Sequence, residues 1–210
     1  DLYPESNTIF KDRSGSILRW VPASNGERHI WIPLSNIPEI IRSAFISAED
    51  HRFYSHPGVD VLAILRAVKS NFTKGHIVSG ASTLTQQLSR LTYPRKRTYY
   101  DKLVELIRSL RIESLLDKEQ ILELYLNRVP LGNNLVGVKA GAMVYFGKSL
   151  SRLTVSEAAL LASLPKAPGK LNPYGRNAPL LFERKNWVLK KMHINGHIGS
   201  DTLNGSLKDA

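Results

Sequence analysis

Cysteine is absent from this 210-residue chain. That excludes disulfides, thiol nucleophiles and cysteine-held metal sites, and leaves the cellular compartment open. No apolar run approaches the ~20 residues of a membrane-spanning helix. The chain opens on DLYPESN, with neither Met nor a signal-like apolar stretch, so it reads as a piece of something longer with an anchor upstream. There is no Walker loop, no GxGxxG and no HExxH. Acid is scarce against base: 18 Asp and Glu face 29 Lys and Arg, a net charge of +11. That excess favours anionic partners, whether nucleic acid, phosphate-bearing lipid or an anionic membrane surface.

What is present is enough apolar residue, 42%, to bury the core of one domain. Residues 1–35 read as short strands, a β-ribbon with turns at Lys11–Gly15 and Ala23–Glu27. From there the period is helical. Asn36 is the expected cap of a helix with Pro38 in its first turn and a buried stripe of Ile40, Ile41, Ala44, Phe45 and Ala48. Asp60 caps VLAILRAVKSNF, with Val61, Leu62, Ile64, Leu65, Val68 and Phe72 as its stripe. Ser82 or Thr83 caps a short helix through Leu91, and Thr98 opens a long one carrying Leu103, Leu106, Ile107 and Leu110. Asp117 and Gln120 form a capping box. Further helices are expected to end at Gly147, to start at Thr154 and to run from Leu180 to Ile194. Residues 196–210 read as a flexible tail or linker, leaving 36–195 as one all-α domain.

Three stretches carry chemistry. In AEDHRFYSHPG, Glu49 follows an apolar helix and sits at its negative end. Partial burial there would also oppose ionisation, which suits a general acid or base. The structural alternative is that Glu49 or Asp50 only bonds Arg52 or a loop amide. His51 and His56 are poorly spaced for one metal, so His56 is expected to hydrogen-bond in the turn, and Phe53 and Tyr54 to form core or cleft wall. In GASTLTQQLSR, Gly80 permits an unusual turn, while Ser82 and Thr83 put hydroxyls and free amides at a helix start, a ready anion site. Gln86 and Gln87 each need partners there. Arg90, Arg95, Lys96, Arg97 and Lys102 form a basic run, with Lys102 and Glu105 three residues apart on one helix side. A phosphate-bearing substrate fits these cations, with nucleic acid or a plain solvated face as the rivals. Ser163–Lys166, SLPK, matches Ser-x-x-Lys, but without Lys-Thr-Gly it is read as chance.

In order, these pieces resemble the glycosyltransferase family 51 domain of class A penicillin-binding proteins and monofunctional peptidoglycan transglycosylases. EDHRFYSHPG, GASTLTQQ, DKLVE, ILELYLN and RKNWVL stand where the family has its five motifs. The LNR at Leu126–Arg128 and the loop LPKAPGKLNP are similar to the penicillin-binding protein 1C type. Asp101 departs from the family's usual Arg, and Val104 from the Lys of some members, lowering the positive charge.

The resemblance implies a lysozyme-like all-α fold and a peptidoglycan glycosyltransferase polymerising lipid II into β-1,4 glycan with inversion and release of undecaprenyl diphosphate. It implies Glu49 as general base and Glu105 as second catalytic glutamate. Ser82, Thr83, Gln86, Arg90, Arg97 and Lys102 would bind the substrate's diphosphate side. Asp50, Phe53, His56, Gly80, Gln87, Glu123, Asn127 and Arg184 would support the cleft. No Asp-x-Asp metal motif is present, so a divalent cation, Mg²⁺ or Mn²⁺, would be held with the substrate diphosphate. The implied partners are lipid II, the growing glycan chain, the bacterial membrane surface, a moenomycin-type inhibitor and a C-terminal transpeptidase domain; nucleic acid is not among them. The implied location is the periplasmic face of the cytoplasmic membrane, with VLAILRAVKSNF dipping into lipid. Rival readings are a lysozyme-like hydrolase working with two carboxylates and a non-enzymatic basic membrane-binding module.

Overall fold

The computed structural model describes residues 7–15, 17–66, 82–94 and 98–209. The N-terminal ribbon forms as an antiparallel pair, β1 (Thr8–Lys11) with β2 (Ile17–Val21), in the register Thr8↔Val21 and Ile9↔Trp20. The third expected strand goes elsewhere: β3 (Arg28–His29) pairs in parallel with β5 (Leu135–Val136), which pairs antiparallel with β4 (Pro130–Gly132). Asn7 fastens the ribbon to this second sheet, its side-chain oxygen accepting from the Trp20 indole N–H at 2.7 Å and the His29 amide at 3.0 Å.

Helix α1 (Glu39–Glu49) starts two residues later than its expected cap implies. Pro38 is the N-cap, its ring holding φ at −55° with an extended ψ of 145°, while Asn36 closes a short 3₁₀ turn, Leu34–Asn36. The other caps are local and form as their sequences dictate. Thr83 opens α3 (Leu84–Thr92), Thr98 opens α4 (Tyr99–Leu115), Asp117 opens α5 (Lys118–Arg128) and Thr154 opens α7 (Val155–Leu161). In each, the side-chain oxygen accepts from the amide three residues on, satisfying a donor the helix leaves free. Helix α2 is described over 61–66, where the Asp60 carboxylate caps the Ala63 amide at 2.9 Å; Val68 and Phe72 of its expected stripe lie outside the described residues.

The core gathers α1, α3, α5, α6 (Val138–Phe146), α7 and α8 (Ala178–Ile194) around Phe45 and Tyr125, whose rings meet edge to face at 6.4 Å. Glu123 and Asn127 on α5 hold the incoming chain. Glu123 Oε2 accepts from the Leu34 amide at 2.7 Å, and Asn127 grips both the Ile32 amide and its carbonyl at 2.8 Å. Residues 196–210 are not a loose tail. Ser200–Lys208 forms a helix, α9, whose half-buried Leu203 and Leu207 pack on the core, and the Lys185 ammonium donates to the Asp209 carbonyl.

The apolar stripe of α4 faces outward. Tyr100, Leu103, Ile107 and Leu110, at i, i+3, i+7 and i+10, are 69, 54, 57 and 44% exposed, because α4 packs on α3 and α5 through the side that buries Ser109. Val61, Leu62 and Leu65 of α2 are exposed as well. Among the described residues no helix is long and apolar enough to cross a membrane.

Candidate active site

Helix α1 delivers Glu49 as its last residue, side chain 13% exposed, at the negative end of the dipole. Its two oxygens differ. Oε2 accepts from the Gln87 amide on α3 at 2.9 Å, and the other Gln87 atom, Oε1, accepts from the Tyr125 hydroxyl at 3.3 Å. Oε1 of Glu49 is buried without a hydrogen-bond partner among the described residues. Burial pushes the carboxyl above its ordinary value, opposed by the Gln87 hydrogen bond and by the charges of Arg184, Lys166 and Arg90.

Arg90, whose charge bears on Glu49, belongs to a chain of charged contacts. Arg90 Nη1 lies 3.6 Å from Glu105 Oε2, the Lys102 ammonium is 2.5 Å from Glu105 Oε1, and the same ammonium donates to the Ser82 hydroxyl at 3.0 Å. Glu105 is thus shared by two cations that remain 42 and 50% exposed, aligned beside the start of α3. Arg97 and Gly80 lie outside the described residues. Asp101, which departs from the family pattern, has a local role. It caps the first turn of α4, accepting from Thr98 Oγ1 at 2.5 Å, where a negative charge is favoured.

Thr83 and Gln86, expected to meet substrate, turn inward instead. Each is 2% exposed; they form a reciprocal capping box, and Thr83 Oγ1 also donates to the Gly58 carbonyl at 2.6 Å. Their polar atoms are used in closing the turn, so they shape the site without facing it. Asp50 and His56 support it from beneath. The buried Asp50 carboxylate lies 3.0 Å from His56 Nε2 through both oxygens and accepts from the Leu84 amide at 3.0 Å, joining the loop after α1 to the start of α3. Phe53 is core, with the Lys118 ammonium 4.6 Å over its ring. That lysine also donates to the His56 carbonyl at 2.6 Å and to Glu113 at 2.7 Å. Gly58 closes the loop at φ +85°, where a Cβ would meet the Ser109 carbonyl at 3.0 Å.

Two site residues, Trp187 and Lys166, escape sequence reasoning, and a third sits closer to the carboxylate than its expected supporting role implies. Arg184, read as cleft support, comes within 3.8 Å of Glu49 Oε1. Trp187 stacks on Arg184, its ring centroid 3.8 Å from the guanidinium carbon. Lys166, the lysine of the dismissed SLPK, lies near enough for its charge to temper Glu49. A groove of about 610 Å³ between the ribbon and α6 has neither acid nor histidine in its lining and offers no base.

A mainly helical fold here brings a buried carboxylate with one unpartnered oxygen together with a row of exposed cations. The chain belongs to the transglycosylase family, whose pattern matches residues 14–193. Penicillin-binding protein 1A of Aquifex aeolicus is 44% identical over 173 residues, covering 82% of this chain and 24% of that protein. Its counterpart from Escherichia coli K12 is 46% identical over 179 residues, covering 84% and 21%. The 2.6 Å crystal structure of Penicillin-Binding Protein 1A from Haemophilus influenzae superposes with a TM-score of 0.56 at 26% identity, covering 98% of this chain and 21% of that one. The chain therefore spans between a fifth and a quarter of the length of these relatives. They bear the 1A name, and the 1C subtype is not resolved by them.

Proposed function

We propose that this domain is a peptidoglycan glycosyltransferase that polymerises lipid II, a disaccharide-pentapeptide on undecaprenyl diphosphate, into β-1,4 glycan with inversion. The observation that carries the proposal is Glu49: one oxygen is held by Gln87, the other is buried without a partner among the described residues, and Arg90, whose charge bears on it, shares Glu105 with Lys102. An alcohol is a weak nucleophile near neutral pH. Glu49 Oε1 would take the proton of the acceptor's 4-hydroxyl as its oxygen bonds the anomeric carbon. The carbon–oxygen bond to the diphosphate then breaks on the opposite face, and Arg90, Lys102 and the Ser82 hydroxyl receive the charge that leaves. Glu105 acts here by aiming both cations, since it touches both. Arg97 would join them.

A divalent ion, Mg²⁺ or Mn²⁺, enters only as a companion of the diphosphate. Among the described residues no three His, Asp or Glu side chains group to hold a metal, and Glu105 is already engaged by Lys102 and Arg90. No step above requires it.

The substrate's lipid implies a bilayer nearby. The outward stripe of α4 and the exposed Val61, Leu62 and Leu65 supply apolar surface, and the net charge of +11 suits anionic headgroups. We therefore place the domain on the periplasmic face of the cytoplasmic membrane, anchored upstream and followed by a transpeptidase domain, within a protein several times longer. Leu103→Glu with Ile107→Glu is expected to cut co-sedimentation with anionic vesicles by on the order of tenfold, since each side chain loses about 1 kcal/mol or more of apolar transfer. Unchanged sedimentation would remove α4 from the interface.

Incubation with labelled lipid II tests the activity. Expected are glycan strands, blocked by a moenomycin-type inhibitor; fragmentation of purified glycan instead would make the domain a hydrolase. Lys102→Met is expected to lower kcat/KM by about 10²-fold, since one fixed cation is removed from the leaving group. A change under twofold would take Lys102 out of the cradle.

A further inference from the structure

Arg184 and Glu49 present an unmet pair. The Arg184 Nε–H is buried without a hydrogen-bond partner among the described residues, and so is Glu49 Oε1. Buried complementary groups left apart in this way call for a physical cause. They are neighbours, with Arg184 Nη2 at 3.8 Å from Oε1, beyond hydrogen-bond range. Joined, they would form the bidentate guanidinium–carboxylate contact that is the strongest arrangement open to both. Two contacts hold the guanidinium back. Nη2 donates to the Ala48 carbonyl at 3.4 Å, a long and weak bond. The indole of Trp187, one helical turn along α8, lies over the guanidinium with its ring centroid 3.8 Å from Cζ. Arginine stacks on aromatic faces readily, and such stacking fixes its plane. Trp187 is itself 38% exposed, so core packing alone does not explain it.

We propose that Trp187 is a positioning residue: its ring holds the Arg184 guanidinium one step short of Glu49, so that Oε1 keeps an unpaired lone pair with which to take the proton of an acceptor hydroxyl. Trp187 touches no reacting atom in this scheme and acts only through Arg184. At its present distance Arg184 still steadies the negative carboxylate without covering the lone pair that must accept a proton. The inference rests on Glu49 being the base.

Other charged groups also face Glu49, and they set what Trp187 can change. Arg90 faces it from α3, Lys166 from the turn after α7, the Tyr125 hydroxyl from α5 through Gln87, and Asp50 follows it in the chain. Lys191, whose ammonium is 5.5 Å from the Trp187 ring, is the ring's other cation. None of these is held by Trp187 against Glu49 as Arg184 is.

The test is a set of kcat–pH profiles for lipid II polymerisation. Trp187→Leu keeps apolar volume and removes the ring face. The guanidinium is expected to close on Oε1, lowering kcat at neutral pH by about tenfold and moving the acid limb down by roughly one to three pH units, the range for a carboxylate gaining a paired cation. Trp187→Phe, which retains a face, is expected to keep the wild-type limb. Adding Arg184→Ala to Trp187→Leu is expected to return the limb to the wild-type position or above it, because the ring has nothing left to restrain. A rise in KM with the limb unmoved would make Trp187 a substrate contact and overturn the inference. So would a lower kcat with the limb unmoved, which marks a merely structural residue. If Glu49→Gln stays active, the base assignment fails first; if that variant is inactive while Trp187→Leu leaves the limb in place, this inference alone fails.

Discussion

Glu49→Gln is expected to lower lipid II polymerisation by about 10²–10⁴-fold while the helical circular dichroism remains that of the parent, because a general base contributes that much and an amide cannot replace it. The same substitution carries a stability signature with a definite sign. Burial raises the Glu49 carboxyl in the folded state above its ordinary value. The fold therefore favours the neutral form. Its contribution to stability is complete below the unfolded-state value and is lost as pH rises through the folded one. Glutamine is neutral at every pH and escapes that loss. The variant is expected to melt above the parent near pH 8, with the gap closing toward about pH 4. A variant that is inactive and also unstable at pH 8 would point to a structural carboxylate, and substantial turnover would remove Glu49 as base.

Asp50→Ala should produce the largest loss of stability. The substitution leaves the buried His56 Nε2 and the Leu84 amide without the acceptor they share. Stranding two buried groups costs about 1–3 kcal/mol each, less what local water recovers, so a total of about 2–4 kcal/mol is expected. For a chain of this size that lowers the melting midpoint by about 5–15 °C. Activity should fall too, because the same carboxylate fixes the start of α3, which carries Gln87 onto Glu49. Asp50→Asn retains one acceptor oxygen and should recover part of the loss. A midpoint within about 2 °C of the parent would show that water replaces the carboxylate and that the junction is not closed as described.

The fold was most legible where a few adjacent residues decide the outcome. Thr83, Thr98, Asp117 and Thr154 cap their helices because each needs only its own side chain and the amide three residues on. Periodicity found the α4 stripe at Leu103, Ile107 and Leu110 but not its direction; a lipid-facing stripe and a core-facing one have the same spacing. Helix α9 carries little signal of its own: SDTLNGSLK offers only two leucines, and its burial comes from α7 and α8 rather than from its own pattern. Hydroxyls and amides at a helix start serve equally as caps and as ligands, so Thr83 and Gln86 read from sequence as substrate contacts, and only burial separates the two.

The site follows the same division. Glu49 was legible from a helix end plus an apolar stripe, and the pairing of Lys102 with Glu105 from their spacing of three. Arg184 was legible only as cleft support through the resemblance; its approach to Glu49 was not, since it reaches the Ala48 carbonyl across 136 residues of chain. Lys166 and Trp187 share that difficulty, and no local rule connects either with α1.

The most direct measurement is the ionisation of Glu49 itself, followed by carbon-13 NMR in selectively labelled protein alongside the kcat–pH profile for lipid II. The carboxyl is expected to titrate above the ordinary glutamate value, with its midpoint coinciding with the acid limb of kcat. A Glu49 that titrates at the ordinary value, or an acid limb that persists unchanged in Glu49→Gln, would contradict its role as the base.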